Sequence, residues 1–294
     1  MSGSRLSVVI PTRARDQALA RCLSLLEAQA VSSNAEIIVT DDGLSETTRR
    51  MIEARFPFAA WTSGPQRGPA ANRNQGASRA TGDFIVFLDD DVEPSPDLLA
   101  AYTAAIRSDV NVYEGRTTCR AGIRSPLEQA PVNETGGWLW SCNMMVRCNF
   151  WRAFGGFDED FRYPHLEDVI FRERLRASDE PIFFVPTASV DHPPRRRPSA
   201  RTLAYHNEGY FIYQYKYLGT SPSMRVFFGE LIRHRLRNVL RHRLSADSAV
   251  ALGSMCIEVC HILARWHRWD RRWRGTKGAA TLASPRVPSS HASS

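Results

Sequence analysis

Short apolar runs alternate with helical patterns over the first ninety residues of the chain. The runs are "LSVVI" at 6–10, "EIIV" at 36–39 and "FIVFL" at 84–88. Leu19, Leu23 and Leu26 recur at the helical period between the first two runs. Apolar runs of this length are typical of buried strands, and strands that alternate with helices predict an α/β fold with a mostly parallel sheet covered by helices on both faces.

Polar and acidic residues stand where the predicted strands end. Thr12 follows the first run, Asp41 and Asp42 follow the second, and three aspartates (89–91) follow the third. In parallel sheets ligands bind outside the carboxyl ends of the strands. Three adjacent carboxylates repel one another unless a cation lies close, and oxygen ligands suit Mg²⁺ or Mn²⁺. The alternative is a solvated acidic turn ahead of a helix that begins near Pro94.

Two later segments carry further candidate chemistry. "HLEDVIFRERLR" predicts a helix with Glu167 and Asp168 in its first turn, where the helix dipole alone favours carboxylates. "IFFVPTASVDHPP" predicts a strand that ends at His192, a residue type that often completes a metal site. No glycine-rich dinucleotide motif follows the first strand and the chain contains no P-loop motif, so neither a dinucleotide-binding fold nor a P-loop ATPase is supported.

Charge divides the chain of 294 residues into unequal parts. Residues 1–194 hold 20 Lys and Arg against 26 Asp and Glu, whereas residues 195–294 hold 18 against 5. We expect a catalytic domain over 1–194, a basic extension of amphipathic helices over 195–275 and a disordered Ser/Pro/Ala-rich tail over 276–294. The basic-aromatic segment "ARWHRWDRRWRG" is compatible with an anionic membrane surface, with a nucleic acid, or with a helix packed on the catalytic domain.

The compartment is predicted from what the chain lacks. Its six cysteines have no spacing typical of a disulfide framework, which favours reduced thiols in the cytoplasm. The N-terminus has only a short apolar run, which does not resemble a signal peptide. The longest apolar segment, "AVALGSMCIEVCHILARW", contains Glu258 and His261 and is expected to fall short of a membrane span. We therefore predict a cytoplasmic protein; a peripheral position on the inner face of the cell membrane depends on the first of the three interpretations of the basic-aromatic segment.

An ordered set of motifs resembles the family-two inverting glycosyltransferases of the GT-A fold. The matching segments are "SVVIPTRAR", "EIIVTDDG", "GPAANRNQGASRATGDFIVFLDDD", "SCNMMVRCNFWRAFGGFDEDF", "HLEDVIFRERL" and His192. The resemblance covers about residues 6–192 and implies a Rossmann-like, mostly parallel sheet flanked by helices. Two departures are the missing serine after "TDDG" and Leu166 in place of the frequent glycine before the Glu-Asp pair. Neither removes a chemical group that the family's reaction needs.

The resemblance implies roles for individual residues of the donor site. The residues concerned are Thr12 and Asp41 beside the nucleoside, Arg67 or Arg73 at the diphosphate, Asp89 at both the nucleotide and the cation, Asp91 and His192 at the cation, and Asp168 as the catalytic base. Glu167 is the alternative base, because the sequence does not tell which acid of the pair points inward. The cation is expected to be Mn²⁺ or Mg²⁺, and Asp90 is expected to point away from it, since alternate side chains of an extended segment face opposite sides.

The remaining expectations concern the sugars. Trp140, with Trp138 and Trp151, is a candidate to pack against sugar rings, and each has core packing as the alternative. Asp158 and Glu159 are candidates to bind donor or acceptor hydroxyls. The expected partners are a UDP- or dTDP-linked sugar, a carbohydrate or lipid-linked acceptor of cell-surface polysaccharide or glycolipid synthesis, and an anionic membrane surface, with nucleic acid the least favoured.

Two other functions compete with transfer. A sugar-nucleotide-binding module without activity is disfavoured, because the base, metal and nucleotide positions are all filled. A nucleotidyltransferase would need a basic, glycine-rich loop after the first strand, and "PTRARDQ" contains no glycine. The resemblance therefore implies a metal-dependent inverting glycosyltransferase, and these two alternatives are less favoured.

Overall fold

An eight-stranded mixed sheet forms the centre of the computed structural model, which describes residues 4–242 and 245–280. The strands are β1 (Leu6–Thr12), β2 (Glu36–Asp41), β3 (Ala59–Ser63), β4 (Phe84–Leu88), β5 (Glu93–Pro94), β6 (Val112–Thr118), β7 (Glu128–Gln129), β8 (Asn143–Arg147), β9 (Ile182–Asp191) and β10 (Arg195–Arg196). The order in the sheet is β3-β2-β1-β4-β8-β6-β9-β5, and β7 and β10 form a separate antiparallel pair.

The register of the parallel strands brings the polar residues at their ends to one edge. β1 pairs in parallel with β2 and with β4, so that Thr12 lies opposite Asp41. The parallel half of the sheet is therefore as the alternating pattern predicts. β8 was not predicted as a strand, and it runs antiparallel between β4 and β6.

Helices cover both faces of the sheet. Those of the first 180 residues are α1 (Asp16–Ser32), α2 (Thr47–Arg55), α3 (Pro69–Arg79), α4 (Leu98–Ala105), α5 (Cys148–Phe154) and α6 (Glu167–Ala177). Val8 and Ile10 of β1 pack into the core beneath α1, α2 and α4, whereas Val9 packs into the core beneath α3, α5 and α6. Both faces of the central strands are buried, which explains their unbroken apolar sequence.

The C-terminal third is helical and packs on the sheet domain. Its elements are α7 (Ala200–His206), α8 (Glu208–Ile212), a π-helical turn (Tyr213–Tyr217), α9 (Met224–Leu240), α10 (Ala246–Leu263), α11 (Trp266–Trp273) and a 3₁₀ turn (Arg274–Thr276). The three tryptophans of α11 are buried in a cluster that also contains Phe161 and Ile170 of the sheet domain. Helix packing thus accounts for these tryptophans, while the arginines of α11 face outward. The predicted tail lies mostly outside the described residues, from 281 onward.

α10 differs from the sequence-based expectation in its length and apolar character. With 18 residues it is long and apolar enough to cross a membrane by length and composition, so the expectation that this segment falls short of a span was wrong. Glu258 of this helix points inward, while Val250, Ile257 and Leu263 face outward. Only 17% of its residues are buried, whereas a core helix of a soluble protein is mostly buried.

Candidate active site

Polar side chains from three strands meet at the carboxyl edge of the sheet. The Thr12 hydroxyl donates a hydrogen bond of 2.6 Å to Asp90, 78 positions away along the chain. Asp41 is buried at the end of β2, and its Oδ1 accepts the backbone N–H of Gly43 at 2.7 Å. Thr12 and Asp41, the predicted nucleoside residues, are therefore neighbours at this edge, and their contact with a nucleoside stays a prediction.

The three consecutive aspartates have different partners. Asp89 accepts a hydrogen bond of 2.6 Å from Arg73, and Asp90 accepts from Thr12 and Arg15. Asp91 is 2.8 Å from Arg15 and 3.3 Å from Arg195. Burial raises the pKa of Asp90 to about 6, against the attraction of Arg15. Although burial also acts on Asp91, His192 and the two arginines outweigh it and hold its pKa below the ordinary range.

Asp89, Asp91 and His192 could hold one metal ion. One ligand atom from each lies within 4.8 Å of the others, and Asp90 is outside this group, as the alternation of side chains predicts. The Pro193 carbonyl lies 3.0 Å from His192 Nδ1 and can only accept, so Nδ1 carries the proton in the neutral ring. Although burial opposes it, the attraction of Asp91 raises the pKa of His192. In the neutral ring Nε2 presents a lone pair toward Asp91 Oδ1 at 3.3 Å, and neither buried atom meets the geometry of a hydrogen bond among the described residues. A cation between these two acceptors satisfies both, so the residues fit a metal ion.

Arg73 connects the aspartate edge to the acidic pair at the start of α6. Its buried guanidinium is 2.6 Å from Asp89 and 3.2 Å from Glu167. Glu167 is 5% exposed, whereas Asp168 is half-buried and accepts the backbone N–H of Val169. Asp168 is thus the more accessible acid of the pair.

Burial dominates the titration of both acids. It raises the pKa of Glu167 to about 7, with repulsion from Asp168 adding to the effect and Arg73 opposing it. Burial also raises the pKa of Asp168, against attraction by Arg73 and backbone hydrogen bonds. A carboxylate whose pKa is raised toward neutrality is a stronger base than an ordinary surface acid.

A cavity of about 570 Å³ joins these groups. Arg73, Asp89, Glu167 and Asp168 line it together with Trp140. The Trp140 ring stacks on Trp138 at 5.4 Å, so its orientation is fixed by the neighbouring ring. Trp151, by contrast, packs among Phe87, Phe157 and Phe171 in the core, so the core-packing alternative describes it.

Three residues that were predicted to contact the substrates instead pair with protein side chains outside the cavity. Asp158 is held at 2.7 Å by Lys216 and at 2.6 Å by the Tyr217 hydroxyl. Glu159 is 2.6 Å from Arg67, which is mostly exposed. None of Arg67, Asp158 and Glu159 lines the cavity formed by the described residues. The predicted roles of Asp158 and Glu159 with sugars and of Arg67 at the diphosphate gain no geometric support.

Sequence reasoning did not single out two arginines at the aspartate edge. Arg15 bridges Asp90 and Asp91, and Arg195 contacts Asp91 across 104 positions of the chain. The available signals were weak: Arg15 stands three residues after Thr12 in the "PTRAR" turn, and Arg195 begins the "RRR" run three residues after His192. Neither arginine makes the salt bridge to Glu167 that Arg73 makes.

Comparison with known proteins finds similarity to one family and to related folds. Residues 7–130 match the model of glycosyl transferase family 2. The validoxylamine A glucosyltransferase of Streptomyces hygroscopicus subsp. limoneus is 29% identical over 224 residues, which cover 60% of this chain and 49% of that protein. The GalNAc(5)-diNAcBac-PP-undecaprenol beta-1,3-glucosyltransferase of Campylobacter jejuni is 33% identical over 95 residues, 30% of each chain. The chain thus spans about half the length, or less, of these two relatives.

A solved structure extends the similarity beyond the family model. The mannosyltransferase from Pyrobaculum calidifontis in complex with GDP-Man and Mn²⁺ superimposes with a TM-score of 0.52 at 18% identity. The match covers 93% of this chain and 84% of that one. At this identity the likeness concerns the fold, and it includes the C-terminal helices as well as the sheet domain.

Proposed function

We propose that the chain, as a member of glycosyl transferase family 2 with the GT-A fold, is an inverting transferase. It would move a sugar from a nucleotide-diphosphate sugar to an acceptor hydroxyl with inversion. The observation that carries this proposal is one cavity lined both by Asp89, a member of the candidate cation site, and by the acid pair Glu167 and Asp168. Inversion requires the acceptor and the leaving diphosphate on opposite faces of the sugar. One group must therefore neutralise the diphosphate, and another must take the acceptor's proton.

The donor diphosphate is proposed to bind at the aspartate edge. Asp89, Asp91 and His192 would hold a divalent cation, which when bound stabilises the charge of the departing diphosphate. Two carboxylates suit Mg²⁺ and Mn²⁺ alike, whereas the imidazole favours a transition metal, so we favour Mn²⁺. Arg15 and Arg195 lie within 3.3 Å of Asp91 and can reach the diphosphate from the protein side. Thr12 and Asp41 then border the nucleoside, which we expect to be UDP or dTDP.

Asp168 is the proposed catalytic base. It lines the cavity, it is more accessible than Glu167, and its pKa is raised by burial. Glu167 shares Arg73 with Asp89, so it holds that arginine and orients the pair. A positioned base contributes about 10²- to 10⁴-fold to such a reaction. The arrangement of these acids disfavours a nucleotide-sugar-binding module, since binding alone needs no base.

The test of this function is metal-dependent hydrolysis of a panel of nucleotide sugars. We expect slow release of the nucleoside diphosphate from one donor, abolished by EDTA and restored by Mn²⁺, because water can replace the acceptor. Asp168→Asn is expected to lower hydrolysis by about 10²-fold or more. It should leave nucleotide binding in place, whereas Asp91→Ala should weaken it. Unchanged turnover of Asp168→Asn would exclude Asp168 as the base, and no hydrolysis of any donor would argue for a binding module.

The outer face of α9 and α10 is proposed to lie on an anionic membrane. Val226, Leu240, Val250 and Ile257 are each more than half exposed, and the C-terminal third carries the excess of arginine. An apolar face within a basic surface is typical of helices that lie in a membrane interface. This location would bring the cavity to lipid-linked acceptors of surface polysaccharide or glycolipid synthesis.

Co-sedimentation with anionic vesicles tests the membrane surface. Point variants are preferable to truncation, because removing α11 would open the cluster around Trp266. Leu240→Glu combined with Val250→Glu should reduce binding. Val31→Glu, at an exposed position of α1, is the matched control and should bind like the wild type. Equal sedimentation of all three proteins would contradict the proposal.

A further inference from the structure

The cavity that contains Asp168 has a strongly basic wall away from the aspartate edge. Among the described residues, six arginines and three histidines line the cavity as a whole, whereas its only acids are Asp89, Glu167 and Asp168. Arg15, Arg73 and Arg195 are paired with aspartates. The other three, Arg196, Arg197 and Arg235, come from β10, the residue after it and α9. The cation and the catalytic acids therefore leave this second group of arginines unexplained.

Within the second group Arg235 has a counter-ion in the protein, whereas Arg197 has none in direct contact among the described residues. The backbone N–H of Arg197 donates to Leu127 at 2.7 Å, which fixes the segment after β10. The Arg197 guanidinium has no ion pair or hydrogen bond within the described residues, and its Nε is buried. Arg235 uses Nε and one Nη to bind buried Glu258 at 3.0 and 2.8 Å. Glu258 is thus the direct counter-ion of Arg235, and its charge also attracts Arg197.

The electrostatics of the neighbouring groups show the same excess of positive charge. Burial, and then the proximity of Arg235, lower the pKa of Arg197 to about 10. Burial and nearby arginines also lower the pKa of His206 to about 4, although Glu258 acts in the opposite direction. A bound anion would relieve this repulsion, and guanidinium groups bind phosphate oxygens in pairs.

We propose that Arg196, Arg197 and Arg235 form a subsite for a phosphate or diphosphate group of the acceptor. The proposal rests on the proposed function, since it places the acceptor's anionic group in the cavity that Asp168 lines. The donor diphosphate belongs at the opposite group of charges, with Asp89 and Asp91. The cavity then takes two phosphate-bearing substrates, one through a cation and one through arginines.

Two sources of this phosphate chemistry fit the surroundings to different degrees. A smaller cavity of about 180 Å³ shares the three arginines with the large one. Its other walls include Leu127, Leu203, Val250 and Met255, so an apolar chain attached to the phosphate could enter it. A lipid phosphate would use both the arginines and this cavity, whereas a soluble sugar phosphate would use only the arginines.

Calorimetric titration of inorganic pyrophosphate into the full chain in EDTA tests the subsite. Without a divalent cation the aspartate edge repels pyrophosphate, so binding should depend on the second group of arginines. Arg197→Gln is expected to weaken binding about tenfold or more, and Arg196→Gln should weaken it in the same direction. Arg237→Gln removes one exposed charge from α9 outside both cavities and should bind like the wild type. Thermal unfolding of each variant verifies that it is folded.

Competition against pyrophosphate distinguishes a lipid phosphate from a soluble sugar phosphate as the ligand of the subsite. Stronger competition by geranyl diphosphate than by glucose 1-phosphate, reduced by Met255→Glu, supports the subsite and assigns it to a lipid phosphate. The reverse order, still dependent on Arg197, supports it and assigns it to a soluble sugar phosphate. Equal pyrophosphate affinity of Arg197→Gln and Arg237→Gln, or no binding by the wild type, overturns the proposal. Donor hydrolysis measured separately on the wild type shows whether the proposed function fails with it or stands alone.

Discussion

Replacing Glu167 by glutamine tests the electrostatics of the acid pair. The Glu167 side chain is 6% exposed and faces Arg73 at 3.2 Å. Glutamine has the same shape and keeps an oxygen that can accept from Arg73, but it carries no charge. The substitution therefore removes ionisation of this side chain while preserving its packing.

The magnitude follows from the difference between the folded and unfolded pKa. A glutamate ordinarily ionises near 4.5, whereas burial and Asp168 raise the pKa of Glu167 to about 7 against the attraction of Arg73. Between these values the folded protein binds more protons than the unfolded chain, so the free energy of unfolding falls as the pH rises. At about 1.4 kcal/mol per pH unit, the decrease approaches about 3 kcal/mol and is complete above pH 7. Glu167→Gln should abolish it.

Urea unfolding at pH 5 and pH 8 measures this effect. We expect the wild type to lose stability between the two values from this group, and Glu167→Gln to be more stable than the wild type at pH 8 by up to about 3 kcal/mol. Glu53→Gln, an exposed glutamate of α2, controls for the loss of a charge. In donor hydrolysis Glu167→Gln should retain activity and Asp168→Asn should lose it. A variant that is less stable than the wild type at pH 8 would refute the reasoning, and the opposite pattern of activity would make Glu167 the base.

Three further substitutions address the metal site, the fold and the sugar contacts. His192→Ala should weaken Mn²⁺-dependent binding of UDP about tenfold or more by calorimetry, and wild-type binding that EDTA does not change would contradict a metal role. Gly68→Ala should lower the unfolding temperature and reduce the free energy of unfolding by about 1–3 kcal/mol. The φ angle of Gly68 is +101°, and a Cβ there would lie 2.1 Å from the Arg162 carbonyl oxygen. An unchanged unfolding temperature would argue against this strain. Asp158→Asn should lose about 1–3 kcal/mol in urea unfolding with the donor KM unchanged, because Lys216 and Tyr217 hold Asp158; a raised KM would restore its predicted contact with sugar.

The parallel half of the sheet could be predicted because each strand is buried on both faces. The run at 84–88 coincides with β4, since an unbroken apolar stretch bounded by polar residues has few alternatives. β8 was missed because "NMMVR" is short and stands in a polar, glycine-rich setting, and it is a strand only through pairing with β4 and β6. Pairing between segments that are distant along the chain leaves no local pattern.

The candidate site likewise contains residues that local sequence predicts and residues that it does not. The positions at strand ends and at the start of a helix follow from local sequence, so Asp89, Asp91 and Asp168 could be chosen in advance. Arg195 contacts Asp91 because β10 pairs with β7. Each of these strands has only two residues, so no periodic pattern in the sequence predicts their pairing. The inward position of Glu258 also depends on a distant partner, because Arg235 supplies the charge that allows a buried acid on an apolar helix.

The uneven charge of the chain has a consequence inside the cavity. The acidic first 194 residues supply Asp89, Glu167 and Asp168, whereas Arg196, Arg197 and Arg235 belong to the basic remainder. A cation can bind only where carboxylates dominate, and an anion without a cation can bind only where guanidinium groups dominate. Arg195 lies at the junction, beside Asp91 on one side and Arg196 on the other. The β10 segment and α9 therefore complete the cavity with a charge opposite to that of the aspartate edge.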